Sequence, residues 1–143
     1  TKISTHVTQP SHFLRLVGWV QNGAELLFVN TKGFETVGLQ PEVTLHRLEV
    51  KTGATKEVAK LKDTYLFNIH LAPDGKNIAF VAHREDKDNI WLLPTNGGEE
   101  KKLTANNDSR LYFSSMAWSP DSSSIYFGKQ SRFSLLSMLT NFK

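Results

Sequence analysis

Side chains able to do chemistry are thinly spread along these 143 residues. The five histidines, His6, His12, His46, His70 and His83, show neither H-x-H nor H-E-x-x-H spacing, so the sequence sets no two of them to converge on one metal ion. Cysteine is absent, which removes disulfides, thiolate-zinc sites and cysteine nucleophiles together. No G-x-S-x-G elbow presents a serine nucleophile, and no glycine-rich loop has a phosphate-cradling pattern; Gly97-Gly98 has the form of a hairpin turn. The richest cluster is HREDKDN, residues 83–89, where Asp86, Asp88 and Asn89 offer oxygen atoms to a hard cation. It lacks the glycine and the further ligands of a calcium loop, and loops of mixed charge are ordinarily just solvated. Asp74 and Asp121 invite an acid–base reading, yet each stands in a turn where its carboxylate can bond the backbone. The expectation is no catalytic residue, no metal and no cofactor.

Composition narrows the class further. With 39% hydrophobic and 22% charged residues, the chain can bury one ordinary core. Its 17 basic and 14 acidic side chains give +3 without a basic stripe, which argues against nucleic acid as a partner. No run approaches the roughly 20 apolar residues of a membrane span, so no insertion into a bilayer is expected.

The elements that must position these side chains follow from internal repetition. WVQNGAELLFVN from Trp19, LAPDGKNIAFVA from Leu71 and WSPDSSSIYFGK from Trp118 match column by column. The turn residue is Asn22, Asp74 or Asp121, at spacings of 52 and 47 residues, followed by Gly23, Gly75 or Ser122. Asn or Asp before Gly tolerates the positive φ of a tight turn between antiparallel strands. Leu26 with Phe28, Ile78 with Phe80, and Ile125 with Phe127 are spaced by two, which puts each pair on one buried face of a strand. Trp19 and Trp118 recur at one repeat position and are expected in the core between units, as are the three phenylalanines. A further β-rich run follows each strand: TLHRLEV, NIWLLPT and FSLLSMLT. Second turns then lead into ATKEVAK and EEKKLT. The unit reads as a four-stranded antiparallel meander.

Four short strands at a period near the roughly 40 to 50 residues of propeller blades argue for an all-β chain of three antiparallel blades, half or a fragment of a six-bladed ring. The pattern W-S-P-D-G, I-A-F, I-W, L-T resembles the TolB-like β-propeller repeat of TolB, of tricorn-type and dipeptidyl-peptidase-type propellers and of bacterial regulators. The expected divisions are residues 1–8 as the outer strand of a neighbouring or closing blade, 9–62 as blade one, 63–104 as blade two, and 105–143 as blade three without its own outer strand. The missing blades lie either in a second copy, forming a homodimer that closes a six-bladed ring, or elsewhere in a longer parent chain.

In such a meander the loops from strand two to three, and from strand four to the next blade, lie at one end. Those segments are 30–43, 60–64, 83–89 and 106–110. The first is long and carries Phe34, Val37 and Leu39, apolar residues that suit a partner or fold back over the blade edge. Candidate binding contacts at this mouth are Phe34, His83, Arg84, Asp86, Asp108 and Arg110, because Arg and aromatic side chains most often anchor interfaces. The resemblance implies a noncatalytic scaffold or sensor that binds a protein or peptide outside the cytoplasmic membrane, in the periplasm or beyond. The alternative is the substrate-gating propeller of a prolyl-oligopeptidase-type serine peptidase whose catalytic domain lies outside this sequence.

Overall fold

A computed structural model describes residues 12–32, 38–131 and 134–141. Ten strands run in chain order: β1 (His12–Val20), β2 (Glu25–Lys32), β3 (Leu39–Glu49), β4 (Thr55–Leu71), β5 (Asn77–Arg84), β6 (Lys87–Pro94), β7 (Lys101–Lys102), β8 (Tyr112–Trp118), β9 (Ser124–Gln130) and β10 (Ser134–Thr140). All neighbours are antiparallel, in one sheet ordered β1-β2-β3-β4-β5-β6-β7 and a second ordered β10-β9-β8. The chain is all-β, as its period-two alternation requires.

The repeated turns take the conformations their residues favour. Asn22 and Gly23 have φ of 53° and 87°, Gly75 has 71°, and Ser122 has 60°. Asp74 Oδ1 accepts the Lys76 N–H at 3.0 Å. Asp121 accepts from the Ser119 hydroxyl and from the N–H and hydroxyl of Ser123, bonds that hold its carboxyl down to about 2. Both aspartates therefore close turns, and Asp74 and Ser122 tie two turns together through a 3.0 Å bond from the Asp74 N–H to Ser122 Oγ.

Two apolar layers lie between the repeat units. The first sets Leu27, Val29, Val43, Leu45 and Leu61 of unit one against Leu66, Ile69, Ile78, Phe80 and Leu93 of unit two. The second sets Ala79, Val81 and Ile90 against Phe113, Met116, Ile125 and Phe127 of unit three. The strands of unit two thus bury both faces, and Phe28, Phe80 and Phe127 are all buried as the repeat columns indicate.

Three expectations need correction. Residues 60–64 form no loop: β4 runs continuously for 17 residues, pairing with β3 in its first part and with β5 in its last, and bends at a register shift between Thr64 and Ile69. Its alternation slips by one residue there, with Leu61 and Thr64 buried, Lys62 and Asp63 both exposed and Asp63 at a φ of 48°, yet the chain passes from one unit to the next as a strand. Residues 83–89 shrink to a turn at Glu85 and Asp86, both with positive φ, between strands that end at Arg84 and resume at Lys87. Trp19 is exposed rather than core, because no neighbouring unit covers its face among the described residues. Trp118 keeps its expected place, half-buried on the second layer, with its indole N–H donating to the His70 carbonyl at 3.1 Å.

Candidate functional site

Asp88, the second residue of β6, organises the end of the molecule that carries the turn at Glu85 and Asp86 and the loop around Asn106. Its carboxylate is buried. Oδ1 lies 2.7 Å from His83 Nδ1 and accepts the Tyr65 hydroxyl at 3.2 Å, while Oδ2 accepts the Phe113 N–H at 3.1 Å. One side chain on β6 therefore joins β4, β5 and β8, across the boundary between units two and three. Burial and the adjacent Asp88 carboxylate push the Tyr65 phenol up to about 12, so it remains a hydrogen donor at neutral pH.

The neighbouring amides extend this network. Asn89 Oδ1 accepts from the Thr104 hydroxyl and from the Asn106 N–H, each at 2.9 Å, and Thr104 Oγ1 accepts the Ile90 N–H at 2.9 Å. Asn106 Nδ2 donates to the Asp88 and Asp108 carbonyls at 3.1 Å, and its Oδ1 accepts the Asp108 N–H. A loop wired this way needs no further ligand to hold its shape. The Asp88 and Asn89 oxygens once open to a hard cation are thus occupied by protein donors. Among the described residues no group of three or more His, Asp or Glu side chains is placed to hold a metal ion.

The sequence-predicted contacts separate into three sets. His83 and Asp86 stand together, with Nε2 3.7 Å from Asp86 Oδ1. Arg84 is engaged elsewhere: its Nε and one terminal nitrogen donate to the Lys62 carbonyl at 3.3 and 3.2 Å, the other meets Glu100 at 2.6 Å, and the guanidinium lies 4.2 Å over the Trp91 ring. This makes Arg84 a clamp between units one and two. Asp108 and Arg110 pair with each other through bonds of 2.9 and 3.0 Å, which with the Arg110 N–H hold the Asp108 carboxyl down to about 2. Phe34 lies outside the described residues.

Among the described residues His83, Arg84, Asp108 and Arg110 line two separate clefts. Asp108 and Arg110 line a cleft of about 950 Å³ bounded by Phe113, Phe127, Lys129 and Met138. His83 and Arg84 line a separate cleft of about 640 Å³ with Lys60, Lys62, Asp63 and Glu100. Residue-type reasoning missed Tyr65, Asn106 and the hub role of Asp88. One signal was present: two residues before Leu45, Ile90 and Leu136 the repeat reads Val43, Asp88 and Ser134. A carboxylate where a sister unit buries valine must find partners inside. Arg15 was missed as well; on β1 it donates to the Leu66 and Ile69 carbonyls at 3.1 Å, beside the bulge of β4.

No protein-family model matches this chain, and no curated protein matches it. Solved structures do. A putative dipeptidyl aminopeptidase IV from Bacteroides ovatus superimposes with a TM-score of 0.70 at 12% identity over 96% of this chain and 22% of its own. The tricorn protease gives 0.54 at 15% identity over 81% of this chain and 11% of its own. An acylaminoacyl peptidase in complex with Z-Gly-Gly-Phe-chloromethyl ketone gives 0.53 at 21% identity over 81% and 17%. The chain thus spans about a fifth or less of the length of these proteins. At such identities the likeness is one of fold, and that fold is a β-propeller built of antiparallel four-stranded units.

Proposed function

We propose that this chain is a noncatalytic binding scaffold of the TolB-like propeller type, whose mouth receives a protein or peptide partner. The observation that carries the reading is the Asp88 network, which fixes the turn bearing His83 and Asp86 and the loop bearing Asp108 and Arg110 on one rigid frame. Preorganised polar groups at a loop-bearing end suit recognition, since little side-chain freedom is left to lose on binding. Among the described residues His83 has only Asp86 and Asp88 as side-chain partners, so no hydroxyl nucleophile is paired with it. An extracytoplasmic location belongs to the same reading and rests on the repeat pattern alone; cell fractionation checks it.

Selection from a displayed peptide library is the direct test. Enriched peptides should lose binding to the Asp86→Ala/Arg110→Ala variant, both side chains being exposed, while its melting temperature stays near that of the parent chain. Failure to enrich any sequence, or enrichment indifferent to both substitutions, overturns the reading. So does turnover of peptide or ester substrates that survives repurification.

A second reading has its own support. The three solved chains above are named as peptidases, and each is several times longer than this one. In that reading the mouth admits substrate to a catalytic domain encoded beside it, and a G-x-S-x-G motif downstream in the parent gene decides for it.

A further inference from the structure

Matched columns of the repeat have opposite fates at the two outer faces of the three units. Leu16, Ile69 and Met116 each stand on the innermost strand, opposite Phe28, Phe80 and Phe127 respectively. Ile69 is 1% exposed and Met116 6%, each sealed by the unit before it, whereas Leu16 is 59% exposed. Trp19, in the column of half-buried Trp118, is also 59% exposed. The reverse faces show the same asymmetry. Leu45, Ile90 and Leu136 stand opposite Val29, Val81 and Gly128, and they are 0%, 0% and 80% exposed. Met138 and Tyr126, paired with each other beside Leu136, are exposed as well.

An array of repeats that stays open needs polar terminal faces to remain soluble. Among the described residues each face here is mixed: Leu16 and Trp19 share theirs with Asn30, Thr44 and His46, and Leu136, Met138 and Tyr126 share theirs with Ser115, so large apolar side chains stay exposed on both. The exposed face of unit one is the repeat counterpart of the unit-two face that receives unit one. The exposed face of unit three is likewise the counterpart of the unit-two face that receives unit three. The two faces are therefore complementary in kind, each matching a contact that already exists inside the chain. Two copies supply six units, within the roughly four to eight of closed propellers.

We propose that the chain associates with a second copy of itself head to tail, the Leu16/Trp19 face of each copy seated on the Leu136/Met138 face of the other about a two-fold axis. Although Met138 also bounds the cleft that Arg110 lines, Leu16 and Leu136 line neither that cleft nor the one at His83, so substitutions at these two residues test the contact apart from the binding reading above.

Light scattering of the 143-residue chain at micromolar concentration should give twice 16.1 kDa. Leu16→Glu and Leu136→Lys should each yield monomers with parental far-ultraviolet circular dichroism, since both side chains are exposed in the single chain. Mixing the two variants should restore a dimer, because one contact keeps both native faces and the other sets Glu against Lys. A monodisperse parental monomer, polydisperse aggregation, dimers that survive either substitution, or variants that stay monomeric when mixed would each overturn the proposal.

Discussion

Asp88 Oδ2 accepts the backbone N–H of Phe113 at 3.1 Å, a bond between residues 25 apart in sequence that fastens unit two to the innermost strand of unit three. Its other oxygen serves Tyr65 and His83. Replacing Asp88 by Ala leaves at least the Phe113 N–H without an acceptor, and a buried group so stranded costs about 1 to 3 kcal/mol. Urea unfolding of Asp88→Ala should show a loss of at least that size. A loss near zero would mean that water or another acceptor replaces the carboxylate.

Tyr65 makes the same hub sensitive to alkali. Its folded pKa, about 12, lies above the ordinary 10 because burial and Asp88 disfavour the phenolate. A raised acid pKa contributes stability that is full below the unfolded value of about 10 and is lost as pH rises toward about 12. Stability of the parent chain should therefore fall across that window more steeply than that of Tyr65→Phe. Parallel curves for the two proteins would show that Tyr65 titrates as it does in water.

Phe80 occupies the centre of the first apolar layer and is fully buried. Phe80→Ala should reduce unfolding free energy by roughly 3 to 5 kcal/mol. A loss under about 1 kcal/mol would place Phe80 on the outer face, a register error of one residue.

Gly75 tests the turn chemistry. Its φ of 71° is costly for any residue with a Cβ, whereas the added methyl would meet Val20 Cγ1 at 3.6 Å, an ordinary contact, so the penalty is the backbone's alone. Gly75→Ala should cost roughly 1 to 2 kcal/mol. An unchanged denaturation midpoint would show that this turn does not need the left-handed conformation.

Local pattern by itself determined the repeated turns and the faces of the strands that follow them, though not the unbroken course of β4 through residues 60–64. Asn-Gly and Asp-Gly permit positive φ, and a spacing of two puts Ile78 with Phe80 on one side of a strand whatever lies beyond it. What covers that side is not a local property. Leu16 and Ile69 occupy one column, yet only Ile69 is buried, because burial needs a neighbouring unit and sequence alternation says nothing of its presence. The candidate site shows the same division. Residue type and loop position nominated Arg84, Asp108 and Arg110, whereas tertiary structure decided which atoms meet. Arg84 closes on Lys62 and Glu100, and Asp108 and Arg110 close on each other. Asp88 became the hub because the fold carries Tyr65 and the Phe113 N–H, 23 and 25 residues away, to within hydrogen-bond reach of one buried carboxylate. Such bonds depend on strand pairing and on the stacking of units, neither of which is written in any short stretch of residues.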